Sequence, residues 1–312
     1  MLKYEYNTKV TEDFNMANAA QALLDMKRTS DFLVCVDSDG CAFDTMEIKH
    51  KESFIPHLID VYNLQAVSTL ARETWEFVNL YSKTRGCNRF PGVVKTIDLL
   101  EKRPEAIRRG FKKPDIESLR NWCETESKLG NPALVAYCEA HPEDEEMKKA
   151  LRWTTEVNET IKRMVHDVPP FPNLRECFEK MKGKVDIIVV SQASNDALER
   201  EWSENDLTKY VTVVCGQEMG TKAQCIELAK KQGYKDDHVL MIGDAPGDCK
   251  AAKSNGVLWY PINPGQEEDS WKKLFDEAFD KFMNLEYKGA YEDSLIDYYE
   301  SLLPATPPWE NK

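Results

Sequence analysis

Short β-branched apolar runs alternate along this chain with stretches of helical period. Phe32 to Val36 are five consecutive apolar residues bounded by charge and a glycine, the pattern of a strand buried on both faces. Val185–Val190, Tyr210–Cys215, His238–Ile242 and Val257–Ile262 carry further strand-like runs. Helical patterns fall between them at about 173–182, 195–205 and 222–232, with another running to Ser254. Strand and helix in repetition predict an α/β fold, a doubly wound parallel sheet with helices on both faces.

From Met46 to about Val165 the pattern changes. Helical period dominates and buried-strand runs are absent. The predicted helices are 47–63, 66–82, 92–101, 115–128, 132–140 and 143–165, broken at Arg85-Gly86, Pro91, Pro104, Gly110, Pro114, Gly130 and Pro142. About 120 residues suffice for a domain of their own. The expected division is an α/β core of 1–45 plus 168–312 and an inserted all-α cap of 46–167. A helix is expected before the first strand, capped by Asn15 or Asn18, with Ala19, Ala20, Leu23 and Leu24 as its apolar face. Helices at 267–284 and 290–303 follow the last strand, and Pro304 to Lys312 is expected to fray.

Composition narrows the class. The chain has 312 residues, 42% hydrophobic and 30% charged, as in a soluble globular protein. A formal charge of −13 argues against nucleic-acid binding. The first thirty residues lack the apolar stretch of a signal peptide, and no run approaches membrane-spanning length. Nine cysteines occur without a CxxC pair, which fits a reducing, cytoplasmic setting.

Polar residues then mark the C-terminal strand ends. Asp37 and Asp39 follow the first strand, Ser191 the second and Asp244 with Asp248 the fourth, while Lys222 opens a helix. In an open α/β sheet those ends share one crevice. Asp37-Ser38-Asp39-Gly40 alone also fits a plain turn or a helix cap. It is not a calcium loop, because the glycine comes too early and Met46 stands where a glutamate is needed. Taken together, the clusters point to phosphoryl transfer. One carboxylate can act as nucleophile and another as general acid and base, with lysine and serine on the phosphoryl oxygens. Crowded carboxylates suit Mg²⁺.

The motifs Asp37-x-Asp39-Gly40, Ser191, Lys222 and Gly243-Asp244-x-x-x-Asp248 resemble, in order, those of the haloacid dehalogenase superfamily. The resemblance implies that Asp37 is the nucleophile and Asp39 the general acid and base. It implies that Ser191 and Lys222 hold phosphoryl oxygens. Mg²⁺ would be held by Asp37, Asp244 and the backbone carbonyl of Asp39, with Asp248 supporting the site or binding the metal itself. An insert between the first two motifs resembles the superfamily's helical cap, and Asp44-Thr45 resembles its exit in the β-phosphoglucomutase and phosphoglycolate phosphatase branch. The chain departs from the common pattern at Cys41, Ala223 and Lys49, which stand where threonine, proline and a mutase histidine are frequent.

The expected activity is therefore Mg²⁺-dependent hydrolysis of a small phosphorylated metabolite through an aspartyl-phosphate, by a monomer or homodimer with no nucleic-acid or membrane partner. A phosphomutase and a non-catalytic phospho-ligand-binding protein are the alternatives. The basic loop Ser82–Arg89 interrupts an acidic chain. It is either a solvated turn or a specificity loop in which Arg85 or Arg89 meets an anion. Gln192, beside Ser191, is a further candidate for substrate binding. Phe43 is a candidate for the pocket wall or the core. His50 is expected to sit on a helix without a metal role, and Glu143–Glu146 to be a solvated helix start.

Overall fold

The structure is a computed structural model and describes residues 21–311. The expected capping residues Asn15 and Asn18, and Ala19 and Ala20 of the apolar face, lie outside the described residues. Described helix begins at residue 21 and ends at Leu24.

The chain forms two compact units. One holds the described residues up to Asp44 together with Asp167–Leu302; the other holds Thr45–His166 and the chain from Leu303 onward.

Strand β1 (Leu33–Val36) is buried at all four positions. The chain then enters the helical unit through α1 (Thr45–Lys49), which passes through a π turn at His50–Phe54 into α2 (Ile55–Val61). There follow α3 (Ser68–Asn79), α4 (Arg89–Glu101), α5 (Pro104–Arg108), α6 (Glu117–Thr125), α7 (Asn131–Ala140) and α8 (Glu145–Met164). Helix α4 starts earlier than expected because the Asn88 side chain accepts the Phe90 amide at 3.0 Å. Pro91 then falls in the first turn, where the missing N–H costs nothing. Pro104 likewise begins α5 rather than breaking a helix.

The core of the helical unit is aromatic. Trp75 and Trp153 are fully buried and meet edge to face, with centroids 5.9 Å apart. Each indole N–H has an acceptor, His50 Nδ1 at 3.0 Å and the Phe54 carbonyl at 3.1 Å. His50 is thus a buried hydrogen-bond partner on the helix path. Helix α8 presents Met147, Ala150, Trp153, Thr154 and Val157 to this core, the spacing of one helix face. Its acidic start is not merely solvated. Asp144 caps the Met147 amide, and Glu146 accepts the Ser118 and Leu119 amides at the start of α6.

The chain returns to the first unit through α9 (Leu174–Met181) and β2 (Asp186–Val190). It continues with α10 (Asn195–Glu204), β3 (Val213–Cys215), α11 (Lys222–Lys230), β4 (Val239–Gly243), α12 (Pro246–Ser254) and β5 (Leu258–Pro261). Helix α13 (Glu267–Lys273) runs through a second π turn into α14 (Phe279–Met283), and α15 (Ala290–Leu302) follows. The five strands are parallel, in the order β3-β2-β1-β4-β5. Leu33 pairs with Asp186 on one side and Val239 on the other. Phe43 is fully buried in the core of this unit, edge-on to Trp202.

The order places β1 at the point where the winding reverses. Connections run outward from β1 to β2 and β3, then return to β4 and β5. That reversal lies between β1 and β4, and such sheets bind ligands at the C-terminal strand ends of the reversal point.

The segment expected to fray is docked instead. Leu303 and Pro307 are buried, and a 3₁₀ turn covers Pro308–Asn311. Trp309 lies edge-on to Phe77 with centroids 5.4 Å apart, and the Arg103 guanidinium stands 4.2 Å above its ring.

Candidate active site

Asp37 directly follows β1 and is buried. Its own amide donates to the Ile242 carbonyl of β4 at 3.0 Å, and its Oδ1 accepts the Ser38 amide at 2.7 Å. The turn that follows is tightly fixed. The Ser38 carbonyl accepts the amides of Cys41, Ala42 and Phe43 at 3.3, 2.8 and 3.1 Å. Gly40 carries φ +78°, a conformation that favours glycine. Ser38 Oγ donates to Glu201 at 3.1 Å and accepts the Trp202 indole N–H at 3.0 Å. The residue between the two motif aspartates is therefore anchored to α10. No local sequence signal pointed to Glu201, because the contact spans 163 positions.

Lys222 is the first residue of α11. A cation there opposes the helix dipole, so it needs compensation. Asp37 Oδ2 and Asp248 Oδ1 supply it, each 2.5 Å from the Lys222 ammonium. The helix start itself is secured by a capping box. Thr221 Oγ1 accepts the Gln224 amide and Gln224 Oε1 accepts the Thr221 amide. Burial alone would lower the Lys222 pKa; Asp248 and Asp37 beside it outweigh that and hold it above the ordinary lysine value.

Asp244 directly follows β4 and is buried, with its carbonyl accepting the Tyr299 hydroxyl of α15 at 2.8 Å. No motif in the sequence marks Tyr299, 55 positions from Asp244. Asp248 occupies the first turn of α12, and its Oδ2 accepts the Ala245 amide at 3.0 Å. Gly243 lets this happen: a Cβ there would lie 2.4 Å from Asp248 Cγ.

Carboxylate oxygens of Asp37, Asp244 and Asp248 lie within 4.8 Å of one another. Burial pushes the Asp37 carboxyl well above its ordinary pKa; Lys222 pulls it back, and Asp248 and Asp244 push it further up. Among the described residues, three buried carboxylates and the Lys222 ammonium share this cluster. That donor set, all hard oxygen, fits a divalent cation such as Mg²⁺. Asp37 and Asp248 each accept one hydrogen bond on each oxygen, from Lys222 and the Ser38 amide and from Lys222 and the Ala245 amide, so hydrogen bonding alone does not separate them as ligands. The side chain of Asp39 lies outside this cluster, half-exposed. The backbone carbonyl implied by the resemblance remains its route to a metal.

Ser191 directly follows β2, is buried, and its amide donates to the Cys215 carbonyl at 2.9 Å. Its Oγ accepts the Ala193 amide at 3.3 Å. Gln192 directs its amide nitrogen to the Gly220 carbonyl at 3.4 Å, in the loop before Lys222. Asn195 is the first residue of α10, directly after its N-cap Ser194. Asn195 Oδ1 accepts the Gly216 amide at 2.7 Å and so ties the loops after β2 and β3.

The two candidate arginines of the basic loop differ. Arg85 is buried, and its Nη1 donates to the Leu80 carbonyl at 2.8 Å. Arg89 is half-buried and bonds only neutral groups, Thr154 Oγ1 at 3.0 Å and Asn158 Oδ1 at 2.7 Å.

The profile of the haloacid dehalogenase-like hydrolase family matches residues 104–260, half of the chain. The chain belongs to that family. The matched span of this hydrolase includes Ser191, Lys222, Asp244 and Asp248; Asp37 and Asp39 precede it. Solved structures similar to the hydrolase include a predicted phosphoglycolate phosphatase from Haemophilus somnus, 17% identical, with TM-score 0.45 over 74% of this chain and 85% of the other. A haloacid dehalogenase-like family hydrolase from Streptococcus pneumoniae is 12% identical, with TM-score 0.42 over 77% and 90%. A family IA, variant 3 hydrolase from Entamoeba histolytica is 12% identical, with TM-score 0.41 over 82% and 100%. No curated protein matches the chain by sequence. No described helix is long and apolar enough to cross a membrane.

Proposed function

We propose that this hydrolase cleaves a small-molecule phosphate monoester through an aspartyl-phosphate on Asp37. The observation that carries the reading is the Lys222 ammonium, 2.5 Å from both Asp37 and Asp248 beside Asp244. A carboxylate held against a fixed cation in a buried cluster is placed to attack an electrophile whose charge that cation then neutralises.

In this reading an Asp37 oxygen attacks phosphorus and the bond from phosphorus to the ester oxygen breaks. Asp39, in its protonated form, gives its proton to the departing oxygen. As a carboxylate it then takes a proton from the water that attacks the acyl phosphate, which releases phosphate and restores Asp37. Ser191 and Lys222 hold the phosphoryl oxygens. Asp37 and Asp244 would hold Mg²⁺, which when bound supplies positive charge opposite the phosphoryl group. The nine cysteines are all free, which supports a cytoplasmic setting.

The test is phosphate release from a panel of small phosphate esters, for wild type and Asp37→Asn, with Mg²⁺ and with chelator. The reading expects release that needs Mg²⁺ and vanishes in the variant. A folded wild type that releases phosphate from no ester overturns it.

A further inference from the structure

Arg89 is held in a way that Arg120 and Arg103 of the same unit are not. The Arg120 guanidinium is neutralised by Asp98, with Nη1 and Nη2 at 3.0 and 2.8 Å from its two oxygens. Arg103 has Glu73 at 2.8 Å. Arg89 has no carboxylate partner among the described residues. Both of its bonds leave from Nη1, to Thr154 and Asn158 on α8. Thr154 is fully buried and donates its own proton to Asn131 Oδ1 at 2.8 Å, so its oxygen can only accept from the arginine. The guanidinium also stands 4.7 Å from the Phe54 ring centroid. Two bonds and an aromatic face fix the group without neutralising it.

What remains is its other edge. Nε and Nη2 have no protein acceptor among the described residues, and neither is sealed from solvent. These two nitrogens present parallel N–H bonds, the geometry that takes a carboxylate or phosphate two oxygens at a time. Arg89 is also the first residue of the thirteen-residue helix α4, where the dipole adds positive potential rather than relieving it. Burial pushes its pKa down to about 10, which still leaves the cation charged near neutral pH.

We propose that the Nε/Nη2 edge of Arg89 is an oxyanion-binding subsite of the helical unit, built for a carboxylate or phosphate group. Thr154, Asn158 and Phe54 act as its scaffold, holding the fork before the anion arrives. The inference stands apart from the hydrolytic reading, because it concerns binding within one unit. The anion is either free in solution or carried by the ester.

The test reads the Arg89 Nε–H resonance directly, assigned by its loss in Arg89→Lys. Wild-type protein is titrated with malonate and with inorganic phosphate. The subsite predicts a saturable shift of that resonance in wild type. Affinities for wild type and both variants are read by isothermal titration calorimetry with the same anions, and are expected to fall about tenfold in Arg89→Met, roughly the loss of one charge-assisted pair. Arg89→Lys is expected to fall between, because it keeps the charge and loses the fork. Circular dichroism checks that both variants fold. An unmoved resonance with both anions overturns the proposal, and so does equal affinity in wild type and Arg89→Met. The source is read separately from KM in Arg89→Met. A rise for 2-phosphoglycolate but not for p-nitrophenyl phosphate supports the subsite with an ester-borne anion. Unchanged KM with a persistent wild-type shift supports it with a free anion. Absence of all turnover would remove the hydrolytic reading and leave the resonance measurement intact.

Discussion

The Lys222 ammonium lies 2.5 Å from Asp248 Oδ1. Both residues sit in the first turns of their helices; the Asp248 side chain is fully buried and that of Lys222 is 15% exposed. Lys222→Met removes the positive charge and leaves Asp37 and Asp248 facing each other. Breaking a buried pair from one side costs about 3–5 kcal/mol. Urea unfolding of the metal-free protein is expected to show a loss of that order, with hydrolysis abolished. A variant as stable as wild type would mean that the carboxylates find compensation elsewhere.

Gly243 is required by contact rather than by its backbone angle. A Cβ at this position would stand 2.4 Å from both Cγ and Oδ2 of Asp248. Because Asp248 is clamped between Lys222 and the Ala245 amide, it cannot move away without losing a bond. Gly243→Ala is expected to cost about 1–3 kcal/mol and to reduce phosphate release more than Cys249→Ala, a change nearby on α12. Comparable rates for the two variants would show that Asp248 has room to shift.

The parts legible in the sequence share one physical cause. A parallel strand covered on both faces must be apolar throughout, so β1 and β4 declare themselves as short runs. Residues that follow such runs are placed by the sheet, so Asp37, Ser191 and Asp244 could be assigned to one crevice before any geometry. What was not legible depends on distance along the chain. Glu146 caps α6 from 27 positions away, and a local reading sees only an acidic helix start. Glu201 reaches Ser38 across the whole helical unit. Prolines misled in a different way: Pro91 and Pro104 read as breaks, yet both occupy first turns. The Tyr210–Cys215 run yielded a strand of three residues, because Thr208–Tyr210 closes as a 3₁₀ turn.

Asp98 gives the helical unit a pH-dependent contribution. Burial raises its pKa, but Arg120 and Lys113 together outweigh that and hold it below the ordinary carboxylate value. A depressed acid stabilises the fold at pH values above its unfolded pKa, and the contribution fades as pH falls through the folded value. The side chains are about 30% exposed, so the effect is modest, about 0.5–1 kcal/mol. Asp98→Asn is expected to lower the urea midpoint at neutral pH, with the difference shrinking toward about pH 3. A difference that stays constant across that range would rule out ionisation as its source.

Trp309 fastens the C-terminal segment to the helical unit. Its ring meets Phe77 and lies beneath Arg103, whose Nη2 is held by Glu73 at 2.8 Å. Upstream, the Lys83 amide donates to the Pro304 carbonyl at 3.3 Å. The guanidinium is thus positioned from one side by a carboxylate and offered to the indole on the other. Trp309→Ala loses the ring contact and the cation–π attraction, together about 1–2 kcal/mol at a half-buried site. A double-mutant cycle with Arg103→Met separates the two, since the pair itself should couple by about 0.5–1 kcal/mol. Hydrogen exchange should quicken at the Lys83 amide in Trp309→Ala, because the Pro304 carbonyl is released with the segment. Unchanged exchange there, with additive stability losses in the cycle, would mean that Leu303 and Pro307 hold the segment without the tryptophan.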